Sequence, residues 1–202
     1  MVIESQQATK KPRVAIYGGA FDPVHNAHLG VAQAALGQVS LDELVFVPAA
    51  HSPLKALGAV ATGEQRLKML ELAVGEMAGL SVSDVELKRK GVSYTIDTVR
   101  DFIVSHPDVE LFWIIGGDQF EQLDRWRDIG DLAKMVTFLV VARPGHDLTP
   151  PPVPGLVWAQ VKAPLMNESS TLIRERIAKG ESTGGLMAPA VEAFIRENEL
   201  YT

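Results

Sequence analysis

The sequence predicts an α/β fold, a doubly wound parallel sheet with helices on both faces. Three observations carry this expectation. Apolar, strand-like runs alternate along the chain with stretches of helical spacing, the pattern of right-handed βαβ crossovers. The first run, Val14-Ala15-Ile16-Tyr17, feeds a glycine turn that opens directly into a helix. The residues best suited to chemistry (His25, His28, Lys55, Ser93 to Thr95, Asp118 and Arg143) each follow a strand, where open α/β sheets bind their ligands.

The elements follow in order. Leu29 to Leu36 reads as the first helix, and Glu43-Leu44-Val45-Phe46-Val47-Pro48 as a short strand closed by proline. Ala49 to Lys55 is a loop. Thr62 caps a helix running to about Met77, with Gln65 completing a capping box and Leu67, Leu70 and Val74 at helical spacing. Leu80 to Leu87 alternates and reads as a strand, and Lys88 to Tyr94 as a basic loop. Thr95 to Ser105 is a helix stopped at His106-Pro107. Glu110 to Ile115 is a buried strand ending at Gly116-Gly117-Asp118, and short helices then carry Trp126. Met135 to Ala142 is the most apolar strand. A stiff connection holding Pro150, Pro151, Pro152 and Pro154 leads to a last strand at Leu156 to Val161. Ser169 to Lys179 and Ala188 to Leu200 close the chain as helices.

Composition narrows the function. With 202 residues, 47% hydrophobic and 22% charged, the chain suits one substantial core: a flexible tail over 1–11 and a single domain over 12–202. A net charge of −6 gives no electrostatic case for nucleic acid or an anionic membrane as partner. The absence of cysteine excludes disulfides, thiolate metal sites and a cysteine nucleophile. No apolar run approaches a membrane span, and the polar start lacks the apolar centre of a signal peptide, so a cytoplasmic protein is expected. No Walker A string, GxGxxG or Gly-x-Ser-x-Gly elbow occurs.

The central stretch is Gly18-Gly19-Ala20-Phe21-Asp22-Pro23-Val24-His25-Asn26-Ala27-His28. Small residues let the backbone approach an anion, and the N–H groups that open a helix point at it. Histidines spaced i, i+3 put both imidazoles on one face, aimed at what the glycines admit. Two ring donors beside backbone donors suit a polyphosphate. A zinc reading lacks a third ligand and the i, i+4 spacing of a helical metal pair. Late in the chain, Glu168-Ser169-Ser170-Thr171-Leu172-Ile173-Arg174 opens a helix with hydroxyls. Hydroxyls there are first of all N-caps, a role compatible with phosphate binding.

These two strings resemble the HxGH and ISSTxxR motifs of the nucleotidylyltransferase superfamily, in the form typical of bacterial nicotinate-mononucleotide adenylyltransferases. Ala27 stands where the family usually has Gly, and Glu168 where it usually has Ile. The resemblance spans about Arg13 to Tyr201 and implies a Rossmann-like fold of the nucleotidylyltransferase type. It implies ATP binding by Gly18, Gly19, Ala20, Phe21, His25, His28, Gly116, Asp118, Ser169, Ser170, Thr171 and Arg174. Catalysis falls to His25, His28, Lys55 and Arg174. Nicotinate mononucleotide falls to Asp22, Lys55, Ser93, Tyr94, Thr95, Trp126 and Arg143. Trp126 would stack on the ring, although a Trp between short helices often simply fills core. Arg143, before Pro-Gly, would pair with the mononucleotide phosphate.

The resemblance further implies ATP and nicotinate mononucleotide as partners and Mg²⁺ held mainly through ATP phosphates, with no protein metal site. It is compatible with a homodimer. The attacking phosphate has a second pKa near 6 and needs no general base, so positioning and charge stabilisation are the protein's task. Phosphopantetheine adenylyl transfer, preference for the amide mononucleotide, and a nucleotide sensor without turnover stand as the alternatives.

Overall fold

A computed structural model describes residues 10–51, 58–75, 77–142, 148–164 and 168–202. Residues 1–9 of the stretch expected over 1–11, together with Lys55 and Arg143, lie outside the described residues. The fold is one six-stranded, all-parallel sheet. Its strands are β1 (Arg13–Gly19), β2 (Glu43–Pro48), β3 (Leu80–Val82), β4 (Glu110–Gly116), β5 (Thr137–Val141) and β6 (Trp158–Val161), in the spatial order β3-β2-β1-β4-β5-β6. The strand order reverses between β1 and β4, and the crevice beyond their carboxyl ends is where such sheets take nucleotides.

Alternation along the central strands builds the two faces. Ala15, Leu44, Phe46, Phe112 and Ile114 pack on one side with α1 (Asn26–Val39), α2 (Gly63–Val74) and the closing helices α7 (Ser170–Ala178) and α8 (Pro189–Glu197). Ile16, Val45, Trp113, Ile115 and Phe138 pack on the other, against α4 (Thr95–Ser105) and α6 (Ile129–Met135). Strands buried on both faces read as near-continuous apolar runs, as β4 and β5 do. α3 (Val85–Arg89), α5 (Gly117–Phe120) and a 3₁₀ turn at Leu123–Arg125 complete the elements among the described residues.

Several boundaries differ from the sequence reading. The alternating run Leu80 to Leu87 is a strand only to Val82; from Val85 it coils into α3, which extends into the stretch expected to be a loop. Glu86 explains the change: it turns inward, 4% exposed, and its Oε1 accepts the Thr98 hydroxyl of α4 at 2.6 Å. A tertiary partner overrides local alternation there. Met135 belongs to α6, so the strand expected from it begins at Thr137. The helix opened by Thr62 ends at Val74, where Gly75 follows at φ 51. Its capping box is present: Thr62 Oγ1 accepts from Gln65 N–H, and Gln65 Oε1 from Thr62 N–H.

Candidate active site

A cavity of about 580 Å³ opens at the reversal of strand order. On one side it is lined by the end of β1 and the following turn, Tyr17 to Phe21, together with His28. On the other stand Ser93, Tyr94 and Thr95 at the start of α4, Gly116 and Trp113 of β4, and Arg125-Trp126-Arg127.

Two aromatic side chains explain the glycines of the turn. A Cβ on Gly18 would come within 3.0 Å of Trp113 Cζ2, and one on Gly19 within 2.9 Å of Phe21 Cζ. Phe21 itself takes the left-handed conformation at φ 48, which is unfavourable for a bulky residue. Its ring, 2% exposed, is pinned edge-on by Tyr17, His28 and Phe46 at 5.5, 5.0 and 5.5 Å. Packing thus supports a strained backbone at the point where the chain turns into α1. Burial pushes the Tyr17 phenol up to about 12, so its hydroxyl is protonated across the neutral range.

The two histidines divide their roles. His28 reaches the cavity, and its Nδ1 accepts the backbone N–H of His25 at 3.2 Å, capping the first turn of α1. A neutral ring that accepts at Nδ1 carries its proton on Nε2, where it is a donor. His25 stacks behind it, ring centroids 3.7 Å apart, and is not among the cavity's lining residues. Burial lowers its pKa to about 4. The sequence reading aimed both rings at the ligand, His28 the better placed; here His28 lines the cavity and His25 stacks behind it.

Asp22, expected on the mononucleotide side, departs further. It is 4% exposed and does not line the cavity. Its carboxylate accepts the N–H groups of Val60 and Ala61 at 2.8 and 3.0 Å and the Tyr201 hydroxyl at 2.8 Å. Arg66, 2% exposed, lies on the same side and donates to the Ala20 carbonyl at 2.8 Å. Asp22 is a buried anchor because three donors and nearby cations compensate its charge there.

The second motif meets the turn through main-chain oxygens. Ser169 caps α7, its Oγ accepting from Leu172 N–H at 3.2 Å. Ser170 Oγ donates to the Pro23 carbonyl at 2.9 Å, and Arg174 Nη1 to the Asp22 carbonyl at 2.7 Å. Thr171 and Asp118 are exposed, and none of these five residues lines the cavity. The two motifs, far apart in sequence, are nevertheless in direct contact.

At the far wall, Ser93 Oγ accepts from Ala50 N–H at 3.0 Å and Ser93 N–H donates to the His51 carbonyl at 2.8 Å. These bonds tie the loop after β2 to the start of α4. The opening N–H groups of α4, which have no intrahelical acceptor, lie at this wall and favour an anion. Trp126 is half-buried, edge-on to Phe138 with centroids 6.4 Å apart, and still lines the cavity. Arg127 stacks over the Tyr94 ring at 4.6 Å and stands 3.9 Å from Asp97.

Sequence reasoning missed Tyr17, Ala49, Glu86, Trp113, Gln119, Arg125 and Arg127 as cavity residues. Arg125 and Arg127 were within reach of it, since they flank a Trp already singled out. Trp113 read only as an apolar strand residue. Among the described residues no group of three or more His, Cys, Asp or Glu side chains could hold a metal ion. No helix among them is long and apolar enough to cross a membrane.

The Cytidylyltransferase-like family model matches residues 16–176. The chain is 43% identical over 190 residues to a probable nicotinate-nucleotide adenylyltransferase of Shouchella clausii, covering 94% of this chain and 96% of that one. It is 41% identical over 199 residues to a Streptococcus mutans protein of the same name, covering 98% and 92%. Among solved structures, nicotinic acid mononucleotide adenylyltransferase from Plasmodium falciparum, complexed with NaAD, superposes with a TM-score of 0.76. That match covers 94% of this chain and 97% of the other at 18% identity, a likeness of fold.

Proposed function

This chain belongs to the cytidylyltransferase-like family, and we infer that it is a nicotinate-nucleotide adenylyltransferase, which transfers AMP from ATP to nicotinate mononucleotide in NAD biosynthesis. The products are deamido-NAD and pyrophosphate. The observation that carries the reading is that one cavity joins the glycine turn and His28 to Trp126 and the start of α4. A phosphate subsite and an aromatic, anion-favouring subsite then share one space, as joining two nucleotides requires.

In this reading a phosphate oxygen of nicotinate mononucleotide attacks the α-phosphorus of ATP. The new P–O bond forms as the bond to the bridging oxygen breaks, and pyrophosphate leaves with that electron pair. The attacking phosphate is largely a dianion at neutral pH, so no residue needs to remove a proton. The protein's contribution is positioning and charge stabilisation. His28 donates through Nε2 to the α-phosphoryl oxygens, while His25 holds its ring in place. Gly18 to Phe21, Gly116 and Asp118 border the nucleotide, and Ser169 to Thr171 at the start of α7 receive its phosphates. Lys55 and Arg174 balance the charge of the leaving pyrophosphate, and Arg143 that of the mononucleotide phosphate. A Mg²⁺ ion carried by ATP would supply charge neutralisation on its phosphates; among the described residues no group of three or more His, Cys, Asp or Glu stands together to hold one.

Trp126 stacks on the pyridine ring, and the backbone N–H groups around Tyr94 and Thr95 meet its carboxylate. Arg125 and Arg127 add cationic charge beside that ring. The cytoplasm is the compartment we assign; a chain without cysteine makes no demand on an oxidising one. The test is pyrophosphate release from ATP and Mg²⁺ with nicotinate mononucleotide, its amide and phosphopantetheine side by side. Selective turnover of nicotinate mononucleotide is expected. Faster turnover of either other acceptor overturns the substrate, and no turnover despite ATP binding overturns the enzyme.

A further inference from the structure

The reaction proposed above makes no direct use of Asp22, yet the phosphate turn and the end of the chain meet on its carboxylate. Oδ2 accepts from Val60 N–H at 2.8 Å; Oδ1 accepts from Ala61 N–H at 3.0 Å and from the Tyr201 hydroxyl at 2.8 Å. Tyr201 is 9% exposed. Burial, then the charge of Asp22, hold its pKa far above the ordinary phenol value, so it is an O–H donor at every working pH.

Arg174 is the group this arrangement controls. Its Nη1 donates to the main-chain carbonyl of Asp22 at 2.7 Å, whereas the nearest carboxylate oxygen, Oδ2, is 3.8 Å away. An arginine beside a buried carboxylate would ordinarily close into a two-pronged pair and leave little of its fork for another anion. Here the carboxylate is oriented and its charge divided by donors from elsewhere. The guanidinium is held at one corner, its Nη2 3.4 Å from Thr171 Oγ1 at the start of α7 and its side chain still 28% exposed.

We propose that Tyr201 is a positioning residue for the transfer reaction: its hydrogen bond to Asp22 keeps the carboxylate from capturing Arg174, so that the guanidinium is available to the ATP phosphates. This rests on the reading of Arg174 as a phosphate-binding cation. The second-to-last residue of the chain thereby tunes the nucleotide side of the site through one buried contact. The mononucleotide side, built on α4 and Trp126, lies outside its reach.

Tyr201→Phe removes one oxygen and keeps the ring. The expected result is a KM for ATP raised roughly five- to tenfold, the effect of one lost hydrogen bond, with an unchanged KM for nicotinate mononucleotide. In an Arg174→Ala background the same substitution should add less than about twofold, because the side chain it controls is gone. Equal rises in both KM values, or an undiminished effect without Arg174, would show a merely structural hydroxyl and overturn the proposal. Should Tyr201→Phe fail to fold, the pair is tested in an Asp22→Asn background, which keeps the side-chain shape and removes the charge that would capture Arg174. Tyr201→Phe added to Asp22→Asn should then leave the KM for ATP within about twofold, and any larger rise overturns the proposal. Failure of the parent reading looks different: Arg174→Ala alone would leave ATP kinetics intact, before Tyr201 is touched.

Discussion

Burial of His25 makes a quantitative prediction about acid. Its ring is 6% exposed, and Nδ1 is buried with no hydrogen-bond partner among the described residues. Desolvation lowers its pKa to about 4, and its place at the start of α1, the positive end of the helix, disfavours a cation further. An unfolded histidine protonates near 6.5. The unfolded chain therefore binds the proton first, and the stability associated with this group is fully present above about pH 6.5 and lost as pH falls toward 4. The difference between about 6.5 and about 4 is worth about 3 kcal/mol, of which about 2 kcal/mol is gone by pH 5. His25→Asn keeps a good helix-capping residue and does not titrate. Urea unfolding of both proteins from pH 7 to pH 4 should show the unaltered chain losing about 2 kcal/mol more than the variant by pH 5. Parallel stability curves, or an imidazole NMR titration with its midpoint near 6.5, would refute the argument. At neutral pH the same burial makes His25 an uncharged support for His28 and not a second cation against phosphate.

Three further outcomes follow from the cavity. His28→Ala should lower kcat by about 10²–10³, the typical loss for one transition-state donor, while removing the cap on His25 N–H destabilises the fold by about 1 kcal/mol. A loss below tenfold in steady-state assays would remove His28 from the chemistry. Trp126→Ala should raise the KM for nicotinate mononucleotide by about tenfold or more through lost stacking and leave that for ATP unchanged; equal effects on both substrates would make Trp126 core only. Arg127→Ala should reduce the preference for the acid over the amide mononucleotide, measured as a ratio of kcat/KM values, by about fivefold. An unchanged ratio would confine Arg127 to its stacking on Tyr94.

Much of this site was legible because its residues are local in sequence. The strand, glycines, His25 and His28 occupy one turn, and the hydroxyls and Arg174 another that contacts it without lining the cavity, so spacing alone places each group at a helix start. The sheet was legible for a related reason: strands buried on both faces are apolar runs whichever partners they find. What failed involved contacts between distant segments. Leu80 to Leu87 alternates like a strand, but Glu86 finds Thr98 on another helix and the run coils. Trp113 gave no sign that its ring would meet the glycine turn; only the pairing of β1 with β4, Ile16 opposite Trp113, brings it there.

Asp22 shows why the limit is physical. Within its own motif it is a carboxylate among glycines and histidines, and every local argument turns it toward a ligand. Its donors come from residues 38, 39 and 179 positions away, and the arginine beside it from 152. In the proposed reading, an exposed aspartate in that turn would set negative charge against the ATP phosphates assigned to it. Turning the carboxylate inward removes the repulsion, but only because Val60, Ala61 and Tyr201 replace the water it gives up. The glycine turn thus acquires its last donor only when the segment after α8 brings Tyr201 to Asp22. The carboxylate beside the glycine turn is satisfied by residues that only the folded chain brings to it.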